Sequence, residues 1–198
     1  MSHFFLIQIK KRRFAIGLLL AVAFGITAFM FIRFNYYPIA FVGAEPISAR
    51  RVVMNYQSAL RYHQNLQNTY APYAAAETPP SAELRASVLS SLVEAALIHR
   101  GVTREVGGSL KNLVRSKVEK YDRDQRFKLA AETLYGLRFA DFKREVLVPQ
   151  AEKDILSGRL FLKGEKFDEW LEEAKRSAPV LIFSTRFKWD GESVIMRD

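Results

Sequence analysis

The sequence predicts a mainly α-helical protein: an N-terminal transmembrane helix, then one domain of about six helices closed by a short β-strand pair or hairpin. Three observations predict it. Phe14–Ile32 is a run of nineteen residues without a charge. Most of residues 34–198 place apolar side chains at helical spacing. Strand character is confined to a segment at each end of that second part, near Ile39–Ile47 and Val180–Met196.

As a helix the run is about 28 Å long, close to the hydrocarbon thickness of a bilayer. Thr27 is its only hydroxyl. Lys10, Lys11, Arg12 and Arg13 abut its start, and Arg33 closes its end. Four adjacent cations against one keep the N-terminus in the cytoplasm and put the second part outside, an asymmetry that Arg50 and Arg51 dilute in a wider window. Phe34, Tyr36 and Tyr37 then stand where an interfacial aromatic belt belongs. A cleaved signal peptide has a shorter apolar core, of roughly 7–15 residues, with a small-x-small site soon after it. Here Ala21-Val22-Ala23 lies inside the run and Val42-Gly43-Ala44 well beyond it, so an uncleaved anchor is expected. The division is a basic tail (1–13), a span (14–33) and an extracytoplasmic domain (34–198) whose last part (160–198) closes it.

The net charge of +9 resembles a nucleic-acid signal until it is divided. Residues 1–33 hold five of the 30 Lys and Arg and none of the 21 Asp and Glu, leaving 25 basic against 21 acidic side chains in residues 34–198. Those charges alternate along helix faces, as on a solvated surface, and nucleic acid is not expected as a partner. There is no cysteine, which excludes disulfides and thiolate chemistry.

The outer domain opens with Ile39–Ile47, a short strand and turn punctuated by Gly43 and Pro46. Ser48 is the expected N-cap of a helix to about Asn68, with Val52, Tyr56, Ala59, Tyr62 and Leu66 near helical spacing. Thr69–Ser81, with three prolines, is expected to be loop and to expose Tyr70 and Tyr73. A second helix over Ala82–Arg100 carries a wide apolar face (Leu84, Val88, Leu92, Ala95, Ala96) and is expected to stop at Gly101. Thr103 would cap a third helix to about Tyr121, weakened at its start by Gly107 and Gly108. Asp122 or Asp124 starts a fourth, stopped at Gly136. A fifth covers about Phe139–Ser157, kinked by Pro149. After Gly158–Gly164, the helix Glu165–Ala178 places Phe167, Trp170, Leu171 and Ala174 on one face, and Pro179 ends it. Val180–Lys188 reads as a strand, Asp190-Gly191 as a hairpin turn, and Ser193–Met196 as the returning strand.

No pattern for catalysis emerges. His3, His63 and His99 are isolated, and no HExxH, GxSxG or phosphate-cradling glycine motif is present. Neither a metal nor a cofactor is expected, and the acidic pair Glu172-Glu173 beside Lys175 and Arg176 reads as solvated ion pairing.

Four segments in order carry a family likeness. Phe41-Val-Gly-Ala-Glu-Pro-Ile-Ser48 resembles the opening of the N-terminal domain of SurA-type periplasmic chaperones, and Leu84–Ile98 resembles the long helix that comes after it. His99–Glu105 is similar to the turn into the next helix, and Leu134–Gln150 to the closing segment. Relatives of the PpiD type share the single N-terminal span. Two departures stand out: Ala44 replaces the usual glycine or asparagine-glycine, and Gly107-Gly108 the usual acidic helix start. The parvulin prolyl-isomerase module that often follows the fifth helix has no counterpart, while Phe167–Phe183 is similar to the segment returning from it. The resemblance therefore implies a SurA-N-like domain with its insert bypassed by Leu160–Gly164 and its C-terminal strand paired with Ile39–Ile47. By the same resemblance the chain is a non-catalytic chaperone of a bacterial cytoplasmic membrane, binding unfolded polypeptide through concave helix surfaces. Membrane lipid around residues 14–33 is the other expected partner. Tyr70 and Tyr73 are the candidate client contacts. The alternatives are a remnant of a parvulin-type prolyl isomerase and a structural subunit of a cell-envelope complex.

Overall fold

The computed structural model describes residues 36–70 and 81–197, which are mainly helical with two small β-sheets. The run Phe14–Ile32, the cations Lys10, Lys11, Arg12 and Arg13, and Tyr73 lie outside the described residues. Among the described residues no helix is long and apolar enough to cross a membrane.

Strand β1 (Pro38–Val42) turns at Gly43-Ala44 into β2 (Glu45–Ser48), with Val42 opposite Glu45. A two-residue hairpin turn of this hand needs a positive φ at its first position, and Gly43 supplies it at +61°. Strand β3 (Val180–Ile182) pairs antiparallel with the other side of β1, giving the order β2-β1-β3. The chain is closed as expected, and β1 has no free edge. The expected continuous strand over Val180–Lys188 is instead broken. After Ile182 the chain leaves the sheet through Ser184, whose Oγ accepts the Arg186 N–H (3.1 Å). It then forms β4 (Phe187–Trp189), which pairs with β5 (Val194–Met196) in a separate hairpin. Asp190 Oδ1 closes that hairpin by accepting the N–H groups of Glu192 and Ser193 (both 2.8 Å), and these bonds hold its carboxyl below the usual range.

Helix α1 (Ala49–Tyr70) begins at Ser48, whose Oγ accepts the Arg51 N–H at 3.3 Å. It continues to Tyr70, so Tyr70 ends a helix rather than opening a loop. Helix α2 (Ser81–Val106) departs most from expectation. It passes straight through Gly101, and no helix starts at Thr103. Gly101 lies under the indole of Trp170, where an added Cβ would overlap the ring. The glycine is there for close approach rather than for a helix end. The stop comes at Gly107, in the left-handed region at φ +54°, followed by a 3-10 turn and α3 (Leu110–Val118). A second 3-10 turn (Glu119–Tyr121) leads to α4 (Gln125–Thr133). Asp124 caps that helix, its Oδ1 accepting the Arg126 N–H at 2.9 Å.

Helix α5 (Phe139–Phe142) runs through a π-turn (Lys143–Leu147) into α6 (Val148–Leu162). Pro149 has no N–H to give, and in a regular helix its ring would strike the carbonyl of Glu145 four residues earlier. The expected kink is taken up as this wider turn. The helix also passes Gly158, so only Lys163-Gly164 remains of the expected connector before α7 (Phe167–Ser177).

Helix α2 is the axis of the core. One side packs on the sheets through Leu89, Val93 and Leu97 against Val42, Ile47, Ile182 and Val194. Its C-terminal half meets α3, α6 and α7 through Ile98, Val102, Leu110, Leu156 and Leu160, with Trp170 against them. A third cluster, Ala131, Leu137 and Phe142, holds α4 and α5.

Candidate functional site

The apolar face of α2 is largely buried, and one side of it lines a groove. Leu84, Val88, Leu92, Ala95 and Ile98 form the floor of a groove of about 480 Å³. Ser58, Ala59, Tyr62 and His63 of α1 form one wall, and Val146, Pro149 and Lys153 the other. Ser87 and Ser91 are exposed within it, and the Ser91 hydroxyl donates to the Ser87 carbonyl (3.0 Å). Tyr62 stacks on Tyr135 at 5.2 Å and an interplanar angle of 11°, and both rings line the groove. Burial and the neighbouring Tyr62 push the Tyr135 phenol up.

The walls are tied together by a buried carboxylate. The π-turn aims Glu145 at α1, where its side chain is 3% exposed. It accepts from Arg51 Nε (2.7 Å), Arg144 Nε (2.8 Å) and Asn55 Nδ2 (3.2 Å). Burial alone would raise its pKa, but the hydrogen bonds from Arg144 and Arg51 outweigh it and hold the carboxyl below the usual range. Asp141 follows the same logic: its burial is outweighed by Arg138 and Arg144, each at 2.8 Å.

A second charged cluster joins β2, α2 and α6. His99 Nδ1 lies 2.9 Å from Glu152 Oε1, so the histidine expected near a helix end sits mid-helix with a buried partner. Glu45 faces these groups, and here burial wins over the attraction of His99 and Arg51, raising its carboxyl. A raised folded pKa favours the protonated fold, so Glu45 weakens the fold as pH rises through that value. Glu45→Gln is therefore expected to raise the melting temperature at neutral pH. The gain should vanish below the ordinary glutamate value of 4.5, where both states are protonated. Melting curves of the two proteins across that range check it.

The groove gathers residues that sequence reasoning does not assign to a site. Only the floor has a signal, the helical stripe on α2; the walls come from segments distant in the chain. Of the tyrosines expected to touch polypeptide, Tyr70 is the last residue of α1 and Tyr73 lies outside the described residues. His63 lines the groove beside Tyr62. Among the described residues no cluster of three or more His, Asp or Glu is arranged to hold a metal ion.

The chain matches no known protein family, curated protein or solved structure. The groove combines an apolar floor with exposed hydroxyls, between walls that carry Tyr62, His63 and Lys153.

Proposed function

We propose that the protein is a membrane-anchored, extracytoplasmic chaperone-like module that holds unfolded or partly folded polypeptide without turning it over. The observation that supports this reading is the groove itself, whose floor is the apolar stripe Leu84–Ile98 of α2. The uncharged run Phe14–Ile32 and the cations before it support the anchor and its orientation. The likeness of four ordered segments to SurA-type chaperones supports polypeptide as the ligand.

The test is a plug. Ser91 is exposed on the groove floor, so Ser91→Trp fills the groove without entering the core. The purified full chain should suppress aggregation of an unfolded client at stoichiometric ratios. The Ser91→Trp protein should melt normally and suppress several-fold less. Equal suppression by both proteins would remove the groove from the reading. Acceleration of a proline-limited refolding phase, which takes tens of seconds at 25 °C, would favour the isomerase alternative.

A structural subunit of an envelope complex is the second reading. Phe161 and Leu162 favour it: they end α6 at 79% and 77% exposure, more than a solvated helix end requires. One stoichiometric partner recovered from membranes, lost on Phe161→Ser with Leu162→Ser, would decide for it.

A further inference from the structure

An antiparallel sheet with one solvated face alternates apolar and polar residues, whereas a sheet covered on both faces reads as unbroken apolar runs. Strand β1 reads Pro38-Ile-Ala-Phe-Val42, and β3 with the residue after it reads Val180-Leu-Ile-Phe183, without a polar side chain. The inward set, Ala40, Val42, Ile47 and Ile182, is buried against α2. The outward set is Phe41, with Leu181 opposite it on β3 and Pro46 opposite it on β2. Phe183 stands beside them, its ring edge-on to Phe41 at 5.9 Å. Leu181 is 56% and Phe183 55% exposed. Phe183 also borders a hollow of about 370 Å³ between the sheet and helices α1 and α2, lined by Val53 and Phe187 and by Gln57 and Arg85. The strands are composed for a cover on this face that the other described residues do not provide.

The length of chain before the sheet names the cover. Only the five residues Arg33–Tyr37 separate Ile32 from Pro38, where β1 begins. Fully extended, they reach about 20 Å. If Phe14–Ile32 spans a bilayer, the sheet cannot leave the neighbourhood of that bilayer's surface. A face of Phe and Leu can bury itself at the boundary between headgroups and acyl chains, as the apolar face of an interfacial element does. The charges do not oppose it: Pro179–Trp189 carries Arg186 and Lys188, both exposed, and no acidic residue that anionic headgroups would repel. We infer that the outer face of the β2-β1-β3 sheet, centred on Phe41, Leu181 and Phe183, rests on the outer surface of the phospholipid bilayer that holds the anchor. This inference rests on the membrane-anchored reading above, and it assigns the sheet a role separate from the groove.

The chain has no cysteine, so one introduced thiol is a unique label. Leu181→Cys and Phe183→Cys replace exposed side chains, and Ser116→Cys places a control on exposed α3. Each full-length variant would carry an environment-sensitive fluorophore and be reconstituted into vesicles of phosphatidylcholine and phosphatidylglycerol. A circular-dichroism melt would confirm each fold. At positions 181 and 183 emission should shift to the blue and iodide quenching should fall several-fold relative to detergent, with no change at position 116. Insertion resistant to alkaline extraction, with all three dyes equally quenched, overturns the docking and leaves the anchor standing. Failure to insert overturns both. Shielding that appears in detergent and grows with protein concentration assigns the face to a second copy of the chain and overturns the bilayer as its cover.

Discussion

Gly101→Ala should destabilise the domain, although the position lies inside a 26-residue helix. In an exposed helix interior the same change stabilises by about 1 kcal/mol, because alanine loses less backbone entropy. Here the new methyl group meets Trp170 and, beyond it, Leu156. The indole is rigid and packs on the α6–α7 cluster, so making room means turning the ring off that cluster or moving α7. Overpacking of that kind costs about 1–3 kcal/mol, enough to reverse the sign. Trp170→Ala alone should cost about 3 kcal/mol, since a half-buried Trp loses less than a fully buried one. The decisive protein is the double variant: with the indole gone, alanine at 101 should be neutral or stabilising. Denaturant titrations of the four proteins give the coupling between the two sites. Stabilisation by Gly101→Ala in the otherwise unchanged protein would mean that Trp170 does not press on α2.

That contact also explains why the end of α2 is not legible in the sequence. His99-Arg100-Gly101 has the composition of a helix end, and a glycine needed for close approach looks the same in one dimension. The residue that decides between them, Trp170, is on another helix. Gly107, where α2 does end, reads in the sequence as a weak start to the next helix. Periodicity is the better guide: the apolar stripes of α2 and α7 are found where the sequence places them, and of the two candidate caps, Asp122 and Asp124, the structure uses Asp124. Pro149 is legible as a disturbance, though not as a π-turn, because a proline in a helix can equally be met by a kink or a break. Gly158–Gly164 reads as a connector on the strength of its two glycines, yet Leu156 and Leu160 are buried among Ile98, Val102 and Leu110 and carry the helix on to Leu162. The groove itself is half legible. A stripe wider than one partner needs is apparent on α2, but what borders it is settled by tertiary packing.

Glu145→Ala should be among the most damaging single substitutions on the groove, and it should act on α1 more than on the rest. The carboxylate is the common acceptor for Arg51 and Asn55 of α1 and for Arg144 of its own turn. Removing it leaves the Arg51 guanidinium, only 26% exposed, without this partner. Breaking a largely buried pair from one side costs about 3–5 kcal/mol. Glu145→Gln should cost less, since an amide oxygen still accepts one hydrogen bond but not the charge. The pH dependence separates the pair from simple packing. Glu145 has a lowered folded pKa, so its contribution is complete above the ordinary value of 4.5 and is lost as pH falls through the folded one. The gap in stability between the unchanged protein and Glu145→Gln should therefore be widest at neutral pH and close on acidification. Amide hydrogen exchange should show the loss concentrated in α1 (Ala49–Tyr70), with the β1–β3 pairing still protected. A pH-independent gap, or loss spread evenly over the domain, would show that the carboxylate only fills space. In that case α1 would be held by its apolar contacts, Val52 and Ala59 against the main core and Met54 against the α4–α5 cluster.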